Sequence, residues 1–440
     1  MPKRGPLIAG ILLGVATTAV YMIGSGRSFG YDAAATFANF VATPSLLDAF
    51  AVHSALPSIP LKSIASNDHV LLSLISHLIY SSTGSRSEVV YRLLPALAAG
   101  GTVGITATVL SRKFGMLAGV SSAFYIATVP LFVDNGRDLR GYTIATLCAL
   151  VATILLMTGR WTRVRLIAYA LLMGLAIAAQ LFAGVVLLGH IAWIASRRSM
   201  PPLIQLAPAW FFAAAIGVAA NANIQIMELL QHGYPPSLFN PTFPADLVIW
   251  LLGAPLPLSL GLWLSAALLG LWPVRSERLL WVSVGVIAVV IAILWLGLQP
   301  AYLYPRFFIF LVPGCAWLMA AAIARWKVLA PVVLLGAVAA AFVQAKGYTE
   351  DPLALPQAAA FVERTHAAGR TACVIRADEQ VLAAYTTNFK VVSSAGDLDG
   401  CDAMVVVSWN VDLGLRDLAA QRFPRRTALP ASYPAVVLEP

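Results

Sequence analysis

Residues 90–133 read VYRLLPALAAGGTVGITATVLSRKFGMLAGVSSAFYIATVPLFV, two apolar runs (90–110 and 115–133) around the basic pair Arg112 and Lys113. Each run has the roughly 20 residues that an α-helix needs to cross the hydrocarbon core of a bilayer. The stretch therefore predicts two membrane-spanning helices joined by a short basic turn.

The same pattern recurs along most of the chain. Of its 440 residues, 59% are hydrophobic and 11% are charged, whereas about 25% are charged in soluble proteins. A longer apolar stretch, 166–196, has room for two short spans that turn near Gln180. The sequence thus predicts a polytopic α-helical membrane protein with about eleven transmembrane helices. The remaining predicted spans are 7–24, 142–158, 203–220, 247–272, 279–298, 307–324 and 328–345.

The basic residues predict how these helices are oriented. Clusters at 3–4, 112–113, 160–165, 197–198, 275–278 and 325–327 all fall on one side, which the positive-inside rule makes cytoplasmic. The excess of 29 Lys and Arg over 20 Asp and Glu therefore reports topology, and no nucleic-acid partner is expected. The segments expected on the outer face are 25–89, 134–141, 221–246, 299–306 and everything after 345.

The first outer segment, 25–89, is unusually long for a loop and contains two helical patterns. One begins at Asp32, where polar residues recur every three or four positions. The other covers 68–80 and places His69, Ser73 and His77 on one polar stripe. At about 13 residues it is too short to span comfortably, so an interfacial helix is favoured. A transmembrane helix there is the alternative, but it would move Arg112 and Lys113 to the outer face.

Residues 346–440 have a different character. Helix-like 357–368, 379–386 and 413–421 alternate with strand-like 371–375, 390–393, 403–407 and 435–438. Such alternation is typical of a small α/β domain, expected here to be soluble and extracytoplasmic. Two of the four cysteines, Cys373 and Cys401, lie in it. They either form a disulfide in an oxidising compartment or remain separate buried thiols.

Three groups of polar residues on the outer face are candidates for chemistry. Asp32 suits a general base, or an acid that favours the helix dipole. Segment 134–142 holds four charged residues, and its arginines offer the planar fork that binds phosphate; interfacial anchoring is the alternative. The third group is Tyr302, Tyr304 and Arg306, of which the tyrosines fit a membrane-interface belt.

Metal-ligand spacing is weak in this sequence. Glu228 and His232 are four residues apart and fit one helix face, but a two-residue match of this kind is common by chance. The sequence has no HExxH or CxxC pattern. No metal site is predicted from the residues alone.

The chain carries five motifs in order: Tyr31-Asp32, the sequence NDHVL at 67–71, YRLLP at 91–95, GRDLRGY at 136–142, and YPR at 304–306 with Pro313. With these motifs it resembles the GT-C membrane glycosyltransferases, in the branch with the protein O-mannosyltransferases and the lipid A aminoarabinose transferases. The likeness covers roughly 1–345 and is strongest before 158.

The resemblance implies a GT-C catalytic domain at 1–345 and a catalytic aspartate, Asp32. It implies a polyprenyl-phosphate sugar as donor and inversion at the sugar carbon, in a multi-pass protein of the plasma membrane (cell inner membrane). The acceptor is a lipid, glycan or protein. Family members often carry Asp-Glu at the first motif, whereas Ala33 follows Asp32 here; no cofactor is certain, and a divalent metal is left open. The expected substrate-binding residues are Asn67, His69, Arg137, Asp138, Arg140, Tyr142, Tyr304 and Arg306.

A transporter or flippase of a lipid-linked sugar is the rival hypothesis, since it also needs phosphate-binding arginines. Transporters often show internal repeats and helices broken at the midplane. This sequence shows no clear repeat, and its ionisable residues lie mainly at one interface. The enzyme is therefore the favoured interpretation.

Overall fold

The chain is described by a computed structural model over residues 4–50, 68–158, 161–196, 200–221, 241–275, 278–297, 303–348, 350–351, 353–407, 413–431 and 435–440. These residues are mostly helical and form two compact units. The helical unit comprises Met1–Ile23, His69–Leu71 and Arg92–Ala345. The mixed unit comprises Gly24–Asp68, Leu72–Tyr91 and Lys346–Pro440. The division at residue 345 expected from the sequence stays a prediction.

Every predicted span coincides with one helix or with two consecutive helices. Four helices in the described part of the chain are long and apolar enough to cross a membrane, or five if one bent pair counts as a single span. Shorter apolar helices accompany them, so the chain is a multi-pass membrane protein. The helices of this region are Arg4–Tyr21, Glu88–Phe114, Met116–Thr128, Pro130–Gly136, Tyr142–Met157, Arg163–Ala179, Gly184–Ser196, Met200–Asn221, Phe243–Leu251, Pro257–Leu271, Arg278–Gly297, Val312–Arg325 and Leu329–Ala345, with 3₁₀ turns at Leu181–Ala183 and Pro305–Leu311.

Two predicted spans are broken. The run 115–133 bends by 63° where Pro130 follows Thr128 and Val129, and the run 247–272 is interrupted after Leu251. Proline cannot donate the backbone hydrogen bond that continues a helix, and Gly253 has a φ of 117°, which only glycine adopts readily. Hydrophobic run length does not detect such breaks.

The first two long helices, Arg4–Tyr21 and Glu88–Phe114, pack backbone against backbone. A Cβ at Gly14 would lie 2.8 Å from the Gly100 carbonyl oxygen, and one at Gly104 would lie 2.6 Å from that of Gly10. Glycines four residues apart on both helices permit this approach, as is common between helices in membranes. The close packing fixes the end of the first helix, to which part of the candidate site is attached.

The mixed unit contains the first helix predicted in the long loop and the second from Leu72 onward, since His69–Leu71 belong to the helical unit. Helix Tyr31–Thr36 continues as a π-helical turn, Phe37–Val41, and is followed by the 3₁₀ turn Leu46–Phe50. The second helix is Val70–Thr83, whose interfacial position stays a prediction. Its Ser73 and His77 are buried, whereas Leu78 is exposed. The polar stripe therefore faces protein.

The C-terminal part of the mixed unit is a five-stranded sheet with helices Leu355–Ala367, Arg376–Leu382 and Leu413–Arg422. The strands are β1 (Ala372–Ile375), β2 (Lys390–Val392), β3 (Ala403–Val406), β4 (Arg425–Ala428) and β5 (Val436–Glu439). Strand order is β2-β1-β3-β5-β4, with β1 parallel to β2 and β3, and β5 antiparallel to β3 and β4. The predicted small α/β region is confirmed.

Two details of this region were not fixed by sequence. Strand β4 was missed because all four of its residues are exposed and it is a charged edge strand without alternating apolar residues. Cys373 and Cys401 form a disulfide, inside a core that also includes Met404 and Phe423. Of the two arrangements that the sequence allowed for these cysteines, the structure therefore has the disulfide and not two separate buried thiols.

Candidate active site

Residues 137–141 of the charged segment 134–142 form a tight turn between the helices Pro130–Gly136 and Tyr142–Met157 of the helical unit. Arg140 N–H donates to the Asp138 carbonyl at 2.8 Å, and Arg140 itself is only 3% exposed. A Cβ on Gly141 would lie 2.6 Å from the Ala179 carbonyl oxygen and 3.0 Å from the His69 Cβ. Gly141 thus lets the turn lie directly against His69.

His69 is a buried, neutral hydrogen-bond acceptor. Its Nδ1 lies 3.0 Å from the Ala179 carbonyl oxygen, which can only accept, so Nδ1 carries the hydrogen. Burial first, and then the Arg140 and Arg306 charges, lower the pKa of His69, against the opposing effect of the Ala179 hydrogen bond. The ring is 3% exposed, and its Nε2 has no hydrogen-bond partner among the described residues. Nε2 therefore keeps an available lone pair.

A series of aromatic rings links the turn to the segment before the helix Val312–Arg325. The His69 and Tyr142 ring centroids are 4.5 Å apart, Tyr142 and Phe307 6.4 Å, and Phe307 and Tyr304 5.6 Å. Phe182 stacks on Phe307 at 5.2 Å. The rings hold two motifs from distant parts of the sequence in one place.

An arginine lies over each of two rings of this series, Tyr142 and Tyr304. The Arg140 Cζ lies 5.5 Å from the Tyr142 ring centroid, and its Nη2 lies 3.4 Å from the Tyr142 hydroxyl. The Arg306 Cζ lies 4.9 Å from the Tyr304 ring centroid. Since both guanidinium groups act on a neutral His69, they create a region of positive potential suited to an anion. We refer to His69, Arg140, Tyr142, Tyr304 and Arg306 as the arginine–histidine cluster.

Arg137 occupies a different environment. Its Nε and Nη2 donate to the carbonyls of Tyr21 and Ile23 at 3.3 and 2.6 Å. These carbonyls belong to the end of the helix Arg4–Tyr21, where unpaired acceptors and the helix dipole favour a cation. The geometry explains Arg137 as a helix cap, and its predicted part in phosphate binding stays a prediction.

Asp138 is paired inside the same unit. Its Oδ1 accepts from the Leu139 N–H at 3.0 Å and lies 3.8 Å from Nη2 of the buried Arg92. The carboxylate thus braces the turn. Its predicted contact with substrate stays a prediction.

Asp32 lies in the mixed unit, as the second residue of helix Tyr31–Thr36. It is half-buried, so one part of the side chain is accessible. A first-turn position agrees with either predicted role, because a base and a dipole-stabilising acid both suit it. Its catalytic role stays a prediction.

Several other predicted residues lie outside the described ranges: Asn67, Glu228, His232 and Tyr302. Within those ranges, no group of three His, Cys, Asp or Glu side chains is placed to hold a metal ion.

Sequence reasoning missed three contributors to the cluster: Phe182, Phe307 and the Ala179 carbonyl. Phe307 directly follows the YPR motif, so its aromatic character was a usable signal. Phe182 lies just after Gln180, which marked only a turn. The Ala179 contact is a backbone interaction and leaves no trace in residue type.

Comparison with solved structures places this geometry in a known fold. The crystal structure of ArnT from Cupriavidus metallidurans in the apo state superposes with a TM-score of 0.62, at 13% identity, over 97% of each chain. An oligosaccharyltransferase from Archaeoglobus fulgidus, solved with Zn and sulfate, gives a TM-score of 0.49 at 11% identity, over 91% of this chain and 67% of that one. No family model and no curated protein matches the sequence. The likeness to ArnT runs the length of both chains, and the chain therefore has the GT-C fold that its sequence motifs predicted.

Proposed function

We propose that this protein is a membrane glycosyltransferase that moves a sugar, with inversion, from a polyprenyl-phosphate donor to a hydroxyl of a lipid, glycan or protein acceptor. The observation that carries the proposal is geometric: ring contacts connect His69 through Tyr142 and Phe307 to Tyr304, and the guanidinium groups of Arg140 and Arg306 lie over the Tyr142 and Tyr304 rings. The fold likeness to ArnT, a lipid A aminoarabinose transferase, supports the class of reaction.

The arginine–histidine cluster supplies what a departing phosphate requires. When the bond between the sugar carbon and the phosphate oxygen breaks, negative charge grows on the phosphate. Fixed cationic donors stabilise this charge most where water is scarce, and Arg140 is almost fully buried. His69 offers Nε2 as an acceptor for a sugar hydroxyl. Arg137 and Asp138 keep the turn in place.

Asp32 acts in the proposal as the general base. Its carboxylate takes the proton of the acceptor hydroxyl while that oxygen attacks the sugar carbon, on the face opposite the phosphate. One displacement of this kind inverts the sugar carbon. The motif Tyr31-Asp32 and the half-buried first-turn position support the assignment.

The reaction is proposed for the outer face of the plasma membrane. The positive-inside distribution of the basic clusters supports this orientation. The disulfide between Cys373 and Cys401 adds support, because such bonds persist in extracytoplasmic compartments and are rare in the cytosol. Residues 346–440 are accordingly proposed to be extracytoplasmic.

No step of the proposal uses a metal. The residues that the structure describes contain no ligand group for one, and Ala33 stands where a second carboxylate is usual in the resembling family. Glu228 and His232, for which the sequence predicted no metal site, lie outside the described ranges.

The test is a transfer assay with the purified protein and a panel of polyprenyl-phosphate sugars. Transfer of one sugar to an acceptor, with release of polyprenyl phosphate, is the expected result. A parallel assay in proteoliposomes follows movement of the same lipids across the bilayer. Movement without transfer would replace the enzyme with the transporter or flippase.

A further inference from the structure

In the mixed unit, the backbone that leads into the Asp32 helix is bound by residues after 345. The Ser28 N–H donates to Asp351 at 3.2 Å, and the Ser28 hydroxyl donates to the same carboxylate. The Phe29 N–H donates to the Tyr385 hydroxyl at 2.9 Å, and the Gln380 amide donates to the Tyr31 hydroxyl. Thus three of the four residues immediately before Asp32 contact the C-terminal region.

Tyr385 contacts two different segments of the mixed unit. Its hydroxyl accepts from Phe29 N–H and donates to Glu88 Oε1 at 2.7 Å, and Glu88 begins the long helix Glu88–Phe114. The Tyr385 ring also lies 6.2 Å from the ring of Phe29, which is buried and stacks on Phe37 at 5.3 Å. One side chain therefore joins the start of the Asp32 helix to the start of the next long helix.

Gln380 reaches Tyr31 from a helix that is tied to the sheet. Asp378, in the same helix, is fully buried and accepts the Val407 N–H at 3.0 Å, just after β3. Burial and the nearby carboxylates of Asp378 and Asp32 raise the pKa of Tyr31, against the opposing hydrogen bond from Gln380. Tyr31 therefore keeps its hydroxyl proton at neutral pH, and its ring lies within electrostatic reach of both carboxylates.

We propose that the C-terminal α/β region is a positioning element of the active site: Tyr385 holds the backbone at Phe29, Gln380 holds the side chain of Tyr31, and together they fix the orientation of the Asp32 carboxylate. The inference rests on the proposed function, in which Asp32 is the base. Neither residue touches the reacting atoms in this account. Their effect is to restrict the conformations of the residue that does.

The first test is Tyr385→Phe, which keeps the ring and removes the hydroxyl. We expect kcat to fall about tenfold, the scale of one lost hydrogen bond, with KM for donor and acceptor nearly unchanged. We also expect faster amide hydrogen exchange in residues 29–41. A merely structural contact would lower stability without lowering kcat at a nearly constant KM.

The matched control is Asp402→Ala. Asp402 accepts the Thr371 N–H at 2.7 Å, so this variant also removes a side-chain acceptor of a backbone N–H, but at the start of β1. It should leave kcat and the exchange of 29–41 unchanged. Gln380→Met removes the donor to Tyr31, keeps the side-chain length, and replaces Tyr385→Phe should that variant not fold.

The outcomes separate this inference from the proposed function. The inference is overturned if kcat stays within about twofold of wild type, if Asp402→Ala lowers it equally, or if exchange in 29–41 does not change. Loss of transfer in Asp32→Asn together with normal Tyr385→Phe and Gln380→Met would remove the positioning role alone. Normal transfer in Asp32→Asn would remove the proposed base, while hydrogen exchange would still report whether the C-terminal region holds the helix.

Discussion

Replacing Arg140 by lysine tests whether the arginine–histidine cluster binds the donor phosphate. Lysine keeps the positive charge but loses the planar fork that donates two parallel hydrogen bonds. Arg140 is 3% exposed and its Nη2 lies 3.4 Å from the Tyr142 hydroxyl, so water cannot easily replace a lost donor. In the proposed site, the substitution therefore removes at least one charge-assisted hydrogen bond to the donor phosphate.

Such a hydrogen bond contributes about 1.5–3 kcal/mol. At about 1.4 kcal/mol for each factor of ten, kcat/KM for the donor should fall roughly 10- to 150-fold in Arg140→Lys. Arg306→Lys should behave alike, since Arg306 lies over Tyr304 in the same series of rings. The assay is initial-rate transfer at varied donor concentration, with expression level and Tm as checks on folding.

Arg137→Lys distinguishes donor binding from support of the fold. Because Arg137 donates to the Tyr21 and Ile23 carbonyls, a helix cap alone predicts a lower Tm with donor kinetics within about threefold of wild type. A larger fall of kcat/KM for the donor would support its predicted contact with the phosphate. Near-normal donor kinetics in both Arg140→Lys and Arg306→Lys would refute the phosphate site and strengthen the transporter hypothesis.

Three further predictions concern orientation and stability. Cysteines placed at the exposed Ser82 and Ser394 should react with an impermeant reagent in intact cells, and protection of both would contradict the proposed orientation. His69 has a lowered pKa in the folded protein, whereas an unfolded histidine takes up a proton near about pH 6.5, so its contribution to stability is complete above that pH and is lost on acidification. His69→Gln should therefore flatten the fall of Tm below about pH 6.5. An unchanged slope of Tm against pH would show that His69 titrates normally. Cys373→Ser should destabilise the mixed unit by about 3–4 kcal/mol, because the disulfide closes a sequence separation of 28 residues. The measurement is denaturant unfolding, and a loss under about 1 kcal/mol would mean that the bond contributes little to stability.

The helices and the polar clusters could be predicted because they depend on local composition. Apolar runs near 20 residues indicate membrane spans, and polar residues recurring every three or four positions indicated the helix at Asp32. The break after Leu251 was not predicted because Gly253 and Pro255 change the backbone without changing hydropathy. Strand β4 was missed because Arg425 and its neighbours carry no apolar alternation.

The candidate site was predictable as a set of residues and not as a geometry. Motifs at 67–71, 136–142 and 304–306 supplied the five members of the arginine–histidine cluster. The sequence did not show that Arg137 caps a helix, because its acceptors are the backbone carbonyls of Tyr21 and Ile23. The role of residues 346–440 was equally unreadable, since it depends on single contacts such as that of Tyr385 with Phe29.

Asp32→Asn provides the most direct test of the account, because it replaces the proposed base with a group of nearly the same size that cannot take up a proton. The measurement is sugar transfer from the donor that the wild-type protein uses, at saturating donor and acceptor, with Tm as the folding control. If Asp32 is the base, the variant folds and its turnover falls by at least about 100-fold, the scale of general-base catalysis. Turnover within a few fold of wild type would contradict the account and would leave Asp32 as a structural residue.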